Sequence, residues 1–311
     1  MTAPTLTREP QTAAVNRPGQ RHRRRTNWTA LAFVTPYVVM VLAFGVGPVL
    51  YALKLAFTTS GGGFAGTDNF SRVVNDFRFL PAVEHVGYFL LIWLVAMVLL
   101  VVILALVVHA VSVRWLSGVI RLAFYLPGAL AGASSVLLWL FMLDPGASPV
   151  GSLLRGAGWS SFAETIAPGH LPVIFAVIAF WTGAGGWIVV MYGALNNIPT
   201  DIMEAARIDG ANVVQTALHV QLPLLRKWIA YMAVLSLATG TQLFVEPTLL
   251  SQASNAVVPN DYSINQLAFQ YAFDLNDVNG SAAIAVLLLV VALALSALFV
   301  ARGGLFESEG P

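Results

Sequence analysis

The sequence predicts an all-α polytopic membrane protein with six transmembrane helices. Three observations carry that prediction. First, 58% of its 311 residues are hydrophobic and 10% are charged, with a mean hydropathy of +0.77. A soluble domain carries roughly 25% charged residues, so this chain lacks the polar surface to cover a water-soluble globule and lipid must be its solvent. Second, six long uncharged runs recur along it. Third, Lys and Arg gather in alternate connections between those runs. The net charge of +1 argues against nucleic acid as a main partner, and the absence of Cys excludes disulfides, thiolate metal sites and a Cys nucleophile.

Residues 1–26 read as a disordered basic arm carrying Arg8, Arg17, Arg21, Arg23, Arg24 and Arg25. Its topogenic reading holds the N-terminus in the cytoplasm; a second reading is contact with anionic lipid. The first uncharged run, 30–53, is 24 residues long. That exceeds the roughly 7–15 residues of a signal-peptide core, so a retained span is expected, with Pro36 and Pro48 as kink points. Further runs follow at 86–108, 122–143, 171–195, 228–245 and 281–301. Each is at or near the roughly 20 residues that cross the hydrocarbon core. Backbone groups in lipid must be paired internally, so each is expected to be a helix. The six-helix domain is expected over 27–303, with a short cytoplasmic tail at 304–311.

An even number of spans puts both termini on one side. With the N-terminus inside, twelve Lys and Arg face the cytoplasm and four, Lys54, Arg72, Arg78 and Arg155, face out. That bias agrees with the positive-inside rule. The outer connections are then 58–85, 144–170 and 251–280, a shallow rim with Gly61–Gly63, several aromatic residues and acids such as Asp76, Asp144, Asp261, Asp274 and Asp277.

The stretch 197–223 is the largest polar interruption on the inner side. Pro199 precedes Thr200 and Asp201, good N-cap residues, and Asp201 with Glu204 approximates a capping box. Met203, Ala205, Ala206 and Arg207 favour helix. Gly210 stops that helix, because glycine tolerates the left-handed conformation a helix end requires. Asn212 caps a second short helix to about Gln221, with Pro223 at its end or at a kink into the next span. Ala205 and Ala206 leave a face of little bulk that suits docking in a groove. Glu204 is available for a basic partner.

Taken together, Glu204-Ala205-Ala206, then Gly210 after three residues, then Val220, Leu222 and Pro223 after nine more, resemble the EAA signature of ABC-importer permeases. Val replaces the usual Ile. Asp209 and Ala211 flank the glycine as in the sugar-importing branch. Leu126-Pro127 with Trp139 is similar to that branch too. So are Ile198-Pro199 and the segment from Ala268 to Phe273 leading to Gly280-Ser281-Ala282-Ala283. The resemblance is to the maltose-type, binding-protein-dependent carbohydrate permeases, and it covers nearly the whole chain beyond the arm. It implies a type I importer fold in the cytoplasmic membrane of a prokaryote. It also implies a second permease subunit, two ATPase subunits and an extracytoplasmic solute-binding protein. The chain itself would bind no cofactor; ATP and Mg2+ would belong to the ATPase. It implies that Glu204, Ala205, Ala206, Asp209, Gly210, Ala211, Leu222 and Pro223 couple to that ATPase.

Polar side chains inside a span tend to face a bundle interior or a wet cavity. The fifth run is richest in them. Thr239, Gln242 and Glu246, spaced i, i+3, i+7, are expected to share a helical face, and sugars stack on aromatic faces, which brings in Trp181 and Trp187 of the fourth run. Against that stand structural readings: Thr and Gln bond across helices, and Trp anchors span ends. The glycines Gly128, Gly132, Gly183, Gly186 and Gly193, with Ser135, mark close helix contacts. No P-loop, H-E-x-x-H or G-x-S-x-G is present, and the five histidines show no metal spacing. The expectation is therefore a transport subunit, with no catalytic residue and no metal site, that moves a di- or oligosaccharide. The alternatives are another solute, such as a polyol, a glycerophosphodiester or a peptide, or a non-transporting membrane scaffold.

Overall fold

A computed structural model describes residues 28–303 apart from Ser112, Ala131 and Ala256. The basic arm at 1–26 and the tail at 304–311 lie outside the described residues. The chain divides into two units, 1–48 and 49–311. Among the described residues every regular element is helical, and one isolated antiparallel bridge pairs Thr58 with Phe64.

Helix α1 (Trp28–Met40) runs through Pro36 and passes into a π-helical turn at Val41–Val46. Helix α2 (Gly47–Ala56) follows. The wide turn ends with the Gly47 amide donating to the Leu42 carbonyl, one residue before Pro48. Proline has no amide hydrogen and its ring crowds the preceding turn, and an i→i+5 bond relieves both demands. The same device recurs at Ala217–Gln221, where the Leu222 amide donates to the Ala217 carbonyl one residue before Pro223. Neither proline ends its helix.

The remaining elements are α3 (Asp68–Val74), α4 (Phe79–Ala110), α5 (Arg114–Tyr125), α6 (Gly132–Met142), α7 (Gly151–Gly156), α8 (Phe162–Thr165), α9 (Leu171–Asn196), α10 (Thr200–Ile208), α11 (Val213–Thr216), α12 (Leu222–Gly240), α13 (Val245–Ala253), α14 (Ile264–Phe273) and α15 (Val278–Gly303). Four stretches are long and apolar enough to cross a membrane as they stand: Ala32–Ala56, Phe79–Ala110, Pro168–Asn196 and Val278–Arg302. Two more are bent pairs, and with each taken as one span the number is six.

The third run differs from the single helix expected at 122–143. A 3-10 turn at Leu126–Ala129 follows α5, Leu130 is extended, and α6 leaves at 103°. Pro127 denies the helix one amide donor at this corner. Helix α5 also reaches back to Arg114, so Arg121 lies on a helix rather than in a loop. The fifth run is bent by 43° between α12 and α13, because Thr241–Phe244 leaves the helical path. The connections expected to face out, 58–85, 144–170 and 251–280, hold α3, α7, α8 and α14, so much of the expected rim is helical rather than loop.

The core of the larger unit lies between α4 and α9. Phe89, Trp93, Met97 and Val101 recur every fourth residue on α4, and all are buried. They share the core with Phe175, Ile178, Ile188, Met191 and Leu195 of α9. Small residues let backbones close in. A Cβ on Gly128 would lie 2.7 Å from the Thr182 carbonyl oxygen, and one on Gly185 would overlap the backbone of Phe124 and Tyr125. Both contacts press the corner of the third run onto α9, which is why these two positions take no side chain. The outward faces, such as Leu91, Leu99 and Ile103 on α4 and Val290 and Leu293 on α15, are exposed and apolar, as a lipid solvent requires.

Candidate functional site

The polar stretch between α9 and α12 is built from two capping motifs in series. Helix α10 starts at Thr200 with Pro199 in the N-cap position and no side-chain cap bond. The capping box expected from Asp201 and Glu204 does not form, because Asp201 sits inside the first turn. There the carboxylate complements the helix dipole instead. At the other end Gly210 has φ +79°. Its amide donates to the Arg207 carbonyl at 3.1 Å, and the Ala211 amide donates to the Ala206 carbonyl at 3.0 Å. That pair of bonds is a Schellman motif, and the left-handed residue at its centre is the reason glycine stands there.

Asn212 then caps the next helix. Its side-chain oxygen accepts the Gln215 amide at 2.9 Å, and Gln215 Oε1 accepts the Asn212 amide at 2.9 Å. The reciprocal box expected one helix earlier is therefore found here. Helix α11 does not end near Gln221 as expected; it continues through the π turn into α12, with Leu222 and Pro223 at the start of that helix. The stretch is thus one short helix, one glycine joint, and one long rod that enters the apolar core.

The two alanines part company. Ala205 is exposed, whereas Ala206 is buried, so the small face is not presented as a pair. Glu204 and Asp209 are exposed. An open cavity of about 350 Å³ is lined by Ala206, Asp209, Gly210, Ala211, Gln215, His219 and Val220. Reading the sequence missed the apolar part of the surface. Ile208 is 86% exposed, Val213 74% and Val214 65%, and they bracket the glycine joint. Their signal was visible as three aliphatic residues inside a polar interruption.

The residues proposed for a translocation path are not brought together as expected. Helix α12 ends at Gly240, so Thr239, Gln242 and Glu246 do not share one helical face. Thr239 is exposed, and its Oγ1 donates to the Leu235 and Ser236 carbonyls. Gln242 lies exposed in the turn, and Glu246 is half-buried in the first turn of α13. That turn is tied to α14 by Asn265 Nδ2, which donates to the Thr241 carbonyl at 2.7 Å. Trp181 meets Trp139 edge to face at 5.8 Å between centroids, and Trp187 meets Tyr231 at 5.9 Å.

On the face reached by the end of α2, Asn69 Nδ2 donates to the carbonyls of Ala56 and Thr58, both at 2.9 Å. Asn279 Nδ2 donates to those of Leu55 at 2.9 Å and Thr58 at 2.8 Å. Two asparagines from distant helices thus satisfy the last carbonyls of α2. Beside them Arg72 pairs with Asp277 at 3.1 Å, and a polar cavity of about 400 Å³ opens among Thr59, Asp68, Asn69, Arg72, Asp277 and Asn279.

No family model matches the chain. Individual proteins do. It is 24% identical to the arabinooligosaccharides transport system permease protein AraP of Halalkalibacterium halodurans, over 85% of this chain and 84% of that protein. It is 27% identical to the multiple sugar-binding transport system permease protein MsmF of Streptococcus mutans, over 90% and 96%. It is 28% identical to the diacetylchitobiose uptake system permease protein NgcF of Streptomyces coelicolor, over 96% and 89%. This chain is a relative of the sugar ABC-transporter permeases. Its fold is that of an ABC importer permease: a bacterial ABC transporter involved in the import of alginate superposes with a TM-score of 0.77 at 20% identity, covering 90% of this chain and 96% of the other. Among these permeases the maltose type is the branch its motifs resemble, and membrane insertion follows from the same relationship.

Proposed function

We propose that this chain is one of the two permease subunits of an ATP-driven importer, and that the pair forms the path for a di- or oligosaccharide handed over by an external binding protein. The observation that carries the proposal is the surface around Gly210. Three exposed aliphatic residues, an exposed Glu204 and a concave glycine joint lie on a polar stretch that continues directly into a core helix. Surface of that kind is made to be covered by another protein. The sugar-permease relatives support the solute class.

In this reading 197–223 lies in the cytoplasm, as the distribution of Lys and Arg favours. The ATPase subunits supply the hydrolysis of ATP with Mg2+; this chain supplies the lever. Glu204 pairs with a basic residue of the ATPase, Ala205, Ile208 and Val213 fill its groove, and Asp209, Gly210 and Ala211 form the joint. Motion of α10 passes through that joint and the π turn at Pro223 into α12, and on its other side into α9. Alternating access follows as the bundle rocks. Thr239, Gln242, Glu246, Trp181 and Trp187 remain the residues proposed to meet the sugar.

The test is purification of the chain from its own membranes in mild detergent. A P-loop ATPase, a second permease and ATP hydrolysis are expected in the complex, and the sugar is identified from what the binding protein retains. A chain that purifies alone from membranes containing such an ATPase counts against the reading.

A further inference from the structure

Helices α4, α5 and α9 meet around the ring of Tyr192, one turn before α9 gives way to the 197–223 stretch. The Arg121 guanidinium carbon lies 4.0 Å from the Tyr192 ring centroid, well inside the distance at which a cation is held over an aromatic face. Arg121 Nε donates to the Ser117 carbonyl at 3.2 Å, which fixes the guanidinium in place. Ser117 Oγ, itself buried, donates to the Val108 carbonyl at 3.4 Å and joins α5 to the end of α4. His109 approaches the Tyr192 ring edge-on at 5.8 Å. The Tyr192 carbonyl accepts from Asn196 Nδ2 at 2.8 Å, at the last residue of α9.

Besides the Gly128–Thr182 contact at the corner, α5 itself meets α9 at two places. At Gly185 the attachment is backbone against backbone, with the Phe124 carbonyl filling the space a Cβ would take. Two turns further along α9, it is Arg121 over Tyr192. The first contact is a close backbone approach with no side chain between the helices, which suits it to act as a pivot. The second is a single planar cation held on a ring, so one side-chain contact ties α5 to the end of α9. Tyr192 lies in the last turns of α9, close in sequence to the start of α10 at Thr200, so motion of α10 reaches it through the end of α9.

We propose that Arg121 and Tyr192 are positioning residues for transport: their contact makes α5 travel with the end of α9 as a unit, about the Gly185–Phe124 pivot, when the coupling stretch moves. The inference rests on the importer reading above. A plain alternative is that Arg121 is only an interfacial positive charge and that Tyr192 only packs.

The experiment uses the complete complex with its ATPase in lipid nanodiscs. The chain has no cysteine, so Val119→Cys on α5 and Val189→Cys on α9, both exposed, place two spin labels without background. Distances are measured by pulsed electron resonance without nucleotide and with ATP, Mg2+ and vanadate. With the contact intact, and in Tyr192→Phe, one narrow distance is expected in both states. In Arg121→Gln and in Tyr192→Leu it is expected to broaden or shift in the vanadate state, with the double variant no worse than either single one. Arg121→Lys keeps the charge and loses the planar stack, so an intermediate result is expected. It also carries the test if Tyr192→Leu fails to fold. A distance that changes between states with the contact intact overturns the proposal, as does one unaltered in Arg121→Gln and Tyr192→Leu. A wild-type complex that hydrolyses no ATP overturns the importer reading instead.

Discussion

The Tyr271 hydroxyl donates to Asp76 Oδ2 across 2.7 Å, joining α14 to the turn ahead of α4 although 195 positions separate the two residues. Arg78 takes the same carboxylate with Nη2 at 2.7 Å and Nε at 3.0 Å, and its Nη1 reaches Gln270 Oε1 at 3.0 Å. The Arg78 guanidinium is the chief reason the Asp76 carboxyl titrates far below the usual carboxylate range. Burial, followed by the bond to Asp76, pushes the Tyr271 hydroxyl up to about 12. A carboxyl depressed in the folded state stabilises it above its unfolded pKa of about 4, and that contribution is lost as pH falls below that value.

Two outcomes follow for this knot. Tyr271→Phe removes one donor from a mostly buried carboxylate and is expected to cost about 1–2 kcal/mol, read as a lowered melting temperature of the purified chain in detergent. Asp76→Asn is expected to flatten the loss of stability as pH falls below about 4 and on through the depressed range of the folded carboxyl, because the titrating group is gone. A variant that melts as steeply with acid as the wild type does would remove Asp76 from the account.

The Gly185 contact gives a second outcome of opposite character. A methyl group there meets the Phe124 carbonyl and the Tyr125 Cα, both backbone, so no flexible side chain can move aside. Gly185→Ala is expected to force α5 off α9 and to lower the melting temperature by several degrees, in the range of an overpacked core. Gly186→Ala serves as control, because a Cβ at Gly186 meets nothing within 4 Å. Equal melting temperatures for the two variants would contradict the close approach.

The contrast between those neighbouring glycines shows where the sequence was legible. Uncharged runs of span length were readable because lipid tolerates so few charges, and the relationship to sugar permeases rested on a motif of fixed spacing. Gly210 was readable too, since its left-handed φ leaves few other residues. What escaped was geometry that depends on partners far away in the chain. The fifth run read as continuous because the one local signal of loosening is Pro247, beyond the break, whereas the break itself at Thr241–Phe244 is held from outside by Asn265 of α14. The third run hid its 103° corner behind a single Pro127. The alanine pair looked like one small face, yet only the fold decides that Ala206 turns inward.

The proposed orientation is open to a direct check. Asp201 on α10 and Leu275 just beyond α14 are both exposed, and the chain has no cysteine of its own. With 197–223 in the cytoplasm, a membrane-impermeant maleimide is expected to label Leu275→Cys in intact cells and Asp201→Cys only after permeabilisation. The reverse pattern would invert the topology and remove the coupling stretch from any cytoplasmic ATPase.

The coupling proposal itself separates from simple folding through two kinds of substitution. Glu204 is exposed, so Glu204→Lys is expected to leave the melting temperature unchanged. It reverses the charge offered to the ATPase, and the expected result is loss of ATPase copurification, or ATP hydrolysis that no longer responds to the loaded binding protein. Ile208→Asp is expected to act the same way, because it puts a charge into a covered apolar surface. Gly210→Val differs, since a β-branched residue at φ +79° is strained whatever it touches. That variant is expected to lose both stability, by about 1–2 kcal/mol, and coupling. If Glu204→Lys and Ile208→Asp both retain a responsive ATPase, this surface carries no load and the lever must lie elsewhere in the chain.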